Sequence, residues 1–165
     1  MRGSAASHKG LALFPRRIGG DYAAIGRLDS ESLYYLHSSD RFRWNYGRVI
    51  MTPKFPWELV QLGNCGSPIE IDEGWLLLTH GVGATRQYSI GAALLDKDQP
   101  WKVLARSELP FIAPINETRE GYVPNVVYTC GGMKIGDSLL IPYAVADSTV
   151  KFITVRVKDL LGALR

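Results

Sequence analysis

Cysteine is scarce: Cys65 and Cys130 are the two in 165 residues. They show no metal-ligand spacing, and a disulfide framework needs more of them. A disulfide-stapled secreted fold is therefore excluded, and reduced thiols in a cytoplasmic setting are expected. Long hydrophobic runs are also missing. No stretch approaches the roughly 20 residues of a membrane-spanning helix, and no secretory apolar segment opens the chain. Charge of one sign is not concentrated either. The net charge is +3 and the basic residues are scattered, so neither nucleic acid nor a membrane surface is called for. "GVGATR" has two glycines but lacks the strand–loop–helix setting of a nucleotide site. Nothing implies a cofactor or a metal.

What is present is ordinary for a globular domain: 46% apolar and 21% charged residues. The length suits a single domain that buries roughly two-thirds of its unfolded surface. Residues 1–7, "MRGSAAS", are small and polar and are expected to lie outside the fold or to be disordered.

Short runs rich in Val, Ile, Leu and Tyr recur along the chain, separated by "IGG", "DEG" and "KIGD". Those separators are tight-turn sequences, so the flanking runs read as hairpins. Only "VKDLLGALR" at the end reads as helix. The chain is expected to be all-β. The runs are also in phase: "ALFPRRIGGDYAAIGRLDSESLYYLHSSD", "PIEIDEGWLLLTHGVGATRQYSIGAALLD" and "NVVYTCGGMKIGDSLLIPYAVADSTVKFITV" align with one another. Each copy has three strands, and the first two copies have a fourth. Repeats over about 11–52, 64–107 and 122–158 predict a partial β-propeller of three four-stranded blades with a short C-terminal helix. The alternative is a sandwich of hairpins, whose strands need not repeat in register.

The alignment places Arg27, His80 and Asp147 at the end of the second strand of each repeat. In a radial array such positions converge on the axis. His80, which ends the apolar run "GWLLLTHGV", is then expected to face a central pocket rather than merely to close a strand.

The segments "KGLALFPRRIGGDYAAIGR", "GNCGSPIEIDEGWLLLTHGV", "YSIGAALLDKDQPWKVLARS", "GYVPNVVYTCGG" and "IPYAVADSTV" together resemble glycoside hydrolase family 130, the β-mannoside phosphorylases and related mannosidases. The resemblance runs from about Lys9 to Leu164. It implies a five-bladed propeller that inverts the anomeric carbon, with inorganic phosphate as nucleophile in phosphorylases and water in mannosidases. It implies phosphate contacts from Arg16, Arg17 and His80, and a sugar and phosphate contact from Asp147. An arginine fork suits a phosphate oxyanion, and an ionised aspartate suits sugar hydroxyls. Tyr122 and Asn125, in "ETREGYVPNVVY", and Arg27 are further substrate-binding candidates.

Two departures stand out. Gln61 replaces a lysine usual in the family, which removes a cation. The family's general acid is an aspartate in an earlier blade, upstream of "LFPRR", where this chain does not extend. Asp21, Asp29 and Asp40 read as turn carboxylates, so no catalytic residue is assigned. Trp44 and Trp57 are candidates to stack on sugars, Trp75 is expected in the core, and Cys65 is expected to be a buried structural thiol. The expected function is the C-terminal part of a family-130-like enzyme acting on β-mannosides, inactive alone. The alternatives are a non-catalytic sugar- or anion-binding half-propeller and a truncated gene product. The expected partners are a β-mannoside, phosphate, and either a second copy or a missing N-terminal half.

Overall fold

The computed structural model describes residues 1–115 and 121–165. The "ETRE" part of the loop before the third repeat thus lies outside the described residues. Those described form three antiparallel sheets and a short C-terminal helix. The first sheet holds β1 (Ala12–Leu13), β2 (Tyr22–Gly26), β3 (Leu33–Ser38) and β4 (Tyr46–Met51), in that order. The second holds β5 (Gln61–Asn64), β6 (Ile69–Ile71), β7 (Gly74–Val82), β8 (Tyr88–Leu95) and β9 (Val103–Arg106). The third holds β10 (Val127–Tyr128), β11 (Met133–Ile135), β12 (Ser138–Val145) and β13 (Thr149–Arg156), and α1 (Val157–Gly162) follows.

The three sheets share one plan. β5 and β6 pair with opposite ends of β7, so they are one strand interrupted at residues 65–68. β10 and β11 stand in the same relation to β12. In the first sheet β1 resumes after "FPRR" as a bridge from Ile18 to Asp21. The turns that follow are two residues long. Gly19 and Gly20 both have positive φ, the backbone that such hairpins demand and that a side chain would strain.

β7 explains its own composition. All nine of its residues are buried, because a sheet packs on each face. Trp75 and Leu77 join Phe14, Ile25 and Tyr35 of the first unit in one core cluster. Leu76 and Leu78 join Leu139 and Ile141 of the third sheet in another. Side chains alternate across a strand, so a strand buried on both faces needs a continuous apolar run. Leu160 and Leu164 of the C-terminal segment close the second cluster. Arg165 then exchanges two backbone hydrogen bonds with Arg106, which ties the chain end to β9.

Residues 1–7, set aside in the sequence, are placed against the first sheet. Arg2 exchanges backbone hydrogen bonds with Phe42 and Trp44, and Ala5 donates to the Trp44 carbonyl. Gly3, at φ 109, allows this approach, because a side chain there would run into Trp44 and Asn45. The segment carries Ser7, His8 and Lys9 towards the ends of β2 and β7.

Candidate functional site

Alternation sets the site. On β2, Ala23 and Ile25 point into the cluster shared with the second sheet. Arg27 continues that side just past the strand end. On β7, Leu76 and Leu78 point towards the third sheet, and His80 continues that side. His80 pairs across the ladder with Gly63, whose missing side chain leaves room for the imidazole; a Cβ there would run into the ring. Tyr88 lies nearly parallel to that ring at 6.2 Å between centroids, and Tyr128 meets it edge-on at 5.0 Å. Arg27 and His80 line one cleft of about 540 Å³ with Ser7, His8, Lys9, Ser30, Gln61, Tyr88 and Tyr128. Gly10, at φ 86, brings the entering chain close to the Arg27 guanidinium and to Asn64.

The electrostatics are those of a dry wall beside a cation. His80 is 3% exposed. Burial, then the charge of Arg27, pull its pKa from 6.5 down to about 4, partly offset by a hydrogen bond with the Asn64 backbone. In the free protein the imidazole is therefore neutral at pH 7. Its Nδ1 lies 3.7 Å from Cys65 Sγ. Burial pushes the Cys65 thiol far up, so it is no thiolate nucleophile. Asn64 is buried, and its Oδ1 has no hydrogen-bond partner among the described residues, although its Nδ2 donates to the Gly66 carbonyl.

The candidates from the sequence divide between two ends of the fold. Arg27, His80 and Gln61 come together in the cleft. Arg16 and Arg17 do not line it. Arg16 is held by Glu70, with Nη2 2.8 Å from Oε1, and lies over the Trp75 ring. Arg17 donates to Tyr22 Oη and to the Gly20 carbonyl. The cause is the antiparallel hairpin: β1 pairs Ala12 with Ile25, which places Gly10, not the arginine pair, beside Arg27. The structure thus does not bring Arg16 and Arg17 into the cleft that His80 lines.

Arg27, His80 and Asp147 do not stand at matching places in the three units. Asp21, Gly74 and Ser138 open the second strand of each unit, and six residues further on stand Arg27, His80 and Ala144. Asp147 lies beyond, exposed in the β12–β13 turn, where Ala146 and Asp147 both have positive φ. Tyr122 is exposed and its N–H donates to Ser148 Oγ, while the Asn125 carbonyl accepts from the Tyr88 N–H. Neither lines the cleft. From this sheet it is Tyr128 that does.

The aspartates hold turns. Asp29 accepts from the N–H groups of Glu31 and Ser32 and from Tyr34 Oη. Burial raises its pKa, but these hydrogen bonds outweigh it and bring the value to about 2. Asp40 accepts from the N–H groups of Phe42 and Arg43, and Asp21 pairs with His37. Trp44 and Trp75 are fully buried, and Trp57 lies against Gly81 and Gly91. The sequence reading passed over Lys9, Asn64, Tyr88 and Tyr128. The hairpin register offered a signal for the first two, since it sets the Gly10 region and Asn64 beside Arg27 and His80.

The family model described as beta-1,4-mannooligosaccharide phosphorylase, of glycoside hydrolase family 130, matches residues 3–165. A 1,2-beta-oligomannan phosphorylase of Thermoanaerobacter sp. (strain X514) is 33% identical over 93% of this chain and 52% of its own length. A beta-1,4-mannooligosaccharide phosphorylase of Ruminococcus albus is 34% identical over 93% of this chain and 49% of its own. The solved structure of a beta-1,2-mannobiose phosphorylase from Listeria innocua superposes with a TM-score of 0.85 at 30% identity, over 96% of this chain and 47% of that one. The chain thus spans about half the length of the relatives it matches.

Proposed function

The chain belongs to glycoside hydrolase family 130, and from that premise we propose that the Arg27–His80 cleft holds the phosphate and part of the sugar of a β-mannoside phosphorylase. The three sheets are read as propeller blades, with the cleft at their axial ends. One observation carries the reading: two cations, Arg27 and Lys9, meet a buried imidazole and two tyrosine rings in one cleft. Arg27 offers a planar fork to a phosphate dianion, and Lys9 adds a point charge. A bound dianion opposes the depression of the His80 pKa and favours its charged, donating form. Tyr88 and Tyr128 supply an apolar face for the sugar.

In the phosphorolytic step a phosphate oxygen bonds to the anomeric carbon as the glycosidic C–O bond breaks on the opposite face. The leaving oxygen takes a proton from a general acid. No carboxylate lines this cleft among the described residues, and Asp29 is held as a carboxylate in its turn. The reading therefore assigns this chain the phosphate side of the site, with no turnover by the chain alone.

Calorimetric titration with inorganic phosphate at low salt tests it. Arg27→Ala is expected to weaken binding about 10- to 100-fold, the loss of a hydrogen bond to a charged group of ~1.5–3 kcal/mol. Arg17→Ala is expected to leave it unchanged. The opposite pattern, with Arg17 essential and Arg27 dispensable, overturns the assignment.

A second reading is a non-catalytic sugar- or anion-binding half-propeller that assembles as a homodimer. It is favoured by β13, which among the described residues pairs on one side only and exposes Val150 and Phe152.

A further inference from the structure

A second cleft, of about 460 Å³, opens at the other end of the first two units. That volume lies within the range of small-molecule sites, roughly 300–1,000 Å³. One wall is the Ile18–Asp21 turn, the second is the facing edge of β3 and β4, and the third is the β8–β9 connection. Every wall comes from this chain. Asp21 opens the strand that ends at Arg27, so the two clefts are separated by roughly 20 Å of strand.

The lining is a platform of rings. His37 and Tyr46 are cross-strand partners whose rings lie 20° from parallel with centroids 6.2 Å apart. Tyr35, two residues before His37 and on the same face, continues the row at 6.5 Å and 21°. Trp101 meets Tyr35 edge-on at 5.4 Å. Tyr46 is 70% exposed, so this end of the row is open to solvent.

Polar groups rim the platform. Asp21 accepts at 3.2 Å from His37 Nδ1, and Asp98 and Arg48 complete the lining. Two carboxylates set against a guanidinium and an imidazole leave no strong net charge, which selects neither an anion nor a cation. Flat apolar rings beside carboxylate acceptors and a guanidinium donor match a neutral polyol with apolar C–H faces and vicinal hydroxyls.

We propose that this rim cleft is a second glycan-binding site, which takes pyranose units of a manno-oligosaccharide independently of phosphate. The choice of mannose rests on the function proposed above; the choice of a pyranose rests on the cleft. Such a site tethers an oligosaccharide to the protein and raises its concentration near the phosphate cleft.

The test is nuclear magnetic resonance of the ¹⁵N-labelled chain titrated with β-1,4-mannotriose. The expected result is shifts at Gly47, Arg48, Asp98 and the Trp101 indole N–H, unchanged by Arg27→Ala. Tyr46→Ala is expected to weaken them about two- to tenfold, the worth of one aromatic contact, with Tyr46→Phe close to wild type. Tyr46 is exposed, so its loss leaves the fold in place. No shifts at the rim, or equal affinity in Tyr46→Ala, overturns the proposal. Shifts confined to Arg27, His80 and Tyr128 overturn it while leaving the phosphate-cleft reading standing. A parallel titration with inorganic phosphate alone reports on that reading separately, so the two fail independently.

Discussion

His80 carries a measurable cost. A histidine in an unfolded chain titrates near 6.5, and the buried His80 titrates at about 4. Between those values the unfolded chain binds a proton that the folded chain does not. The folded state is therefore fully favoured above pH 6.5 and loses stability as the pH falls towards 4. The gap corresponds to ~3 kcal/mol at most. Urea unfolding at pH 7 and pH 5 is expected to show this loss in the native chain and to show a flatter dependence in His80→Gln. Parallel pH dependences in the two proteins would assign the acid sensitivity elsewhere. Gly63 belongs to the same arrangement: Gly63→Ala places a methyl where the ring sits and is expected to destabilise by ~1–3 kcal/mol, as overpacking does.

At the scale of elements, the short helical turn Pro56–Glu58 links the first two sheets. Glu58 is fully buried, and its Oε1 accepts from the N–H groups of Lys54 and Phe55 and from Arg106 Nη2 at 2.5 Å. Arg106 also donates to the Thr52 carbonyl, so β9 is fastened to the connection. Removing one member of a buried pair leaves the other uncompensated. Glu58→Ala is expected to cost ~3–5 kcal/mol, read as a lower urea midpoint. A loss under about 1 kcal/mol would mean that the pair behaves like a surface ion pair. Trp57, beside it, covers Gly81 and Gly91, where side chains would collide with its indole. That places it in packing between elements and not in the Arg27–His80 cleft.

For the whole molecule, the decisive feature is the outer flank of the third sheet. Val150 and Phe152 on β13 are 65% and 68% exposed, and Met133 and Ile135 on β11 are exposed as well. A strand edge with apolar side chains is a template for another chain. The proposed assembly is a two-fold dimer, the commonest closed arrangement. Light scattering at micromolar concentration is expected to give twice the 18.3 kDa of one chain, and Phe152→Ser to shift it towards the monomer. A monodisperse monomer in the native protein would exclude the dimer. Among the described residues no helix is long and apolar enough to cross a membrane.

The sequence by itself determined the strands, their two-residue turns and the repeat. Each follows from local chemistry: β-rich runs, glycines at positive φ, and an apolar run long enough to need burial on two faces. It also singled out His80, because a histidine closing such a run needs a reason. Only the tertiary structure decided which cations accompany it. Arg16 and Arg17 precede the first turn, so the antiparallel hairpin sends them to the end away from the cleft, where Glu70 and Tyr22 hold them. Arg27 follows β2, His80 lies in β7 and Tyr128 in β10, and their convergence follows from how three sheets stack. Lys9 arrives because Gly3 lets the N-terminal segment pack on Trp44. Asp147 lies outside the set because backbone pairing fixes the register: counted from the hairpin, Ala144 is the counterpart of His80, and Asp147 falls in the turn beyond β12.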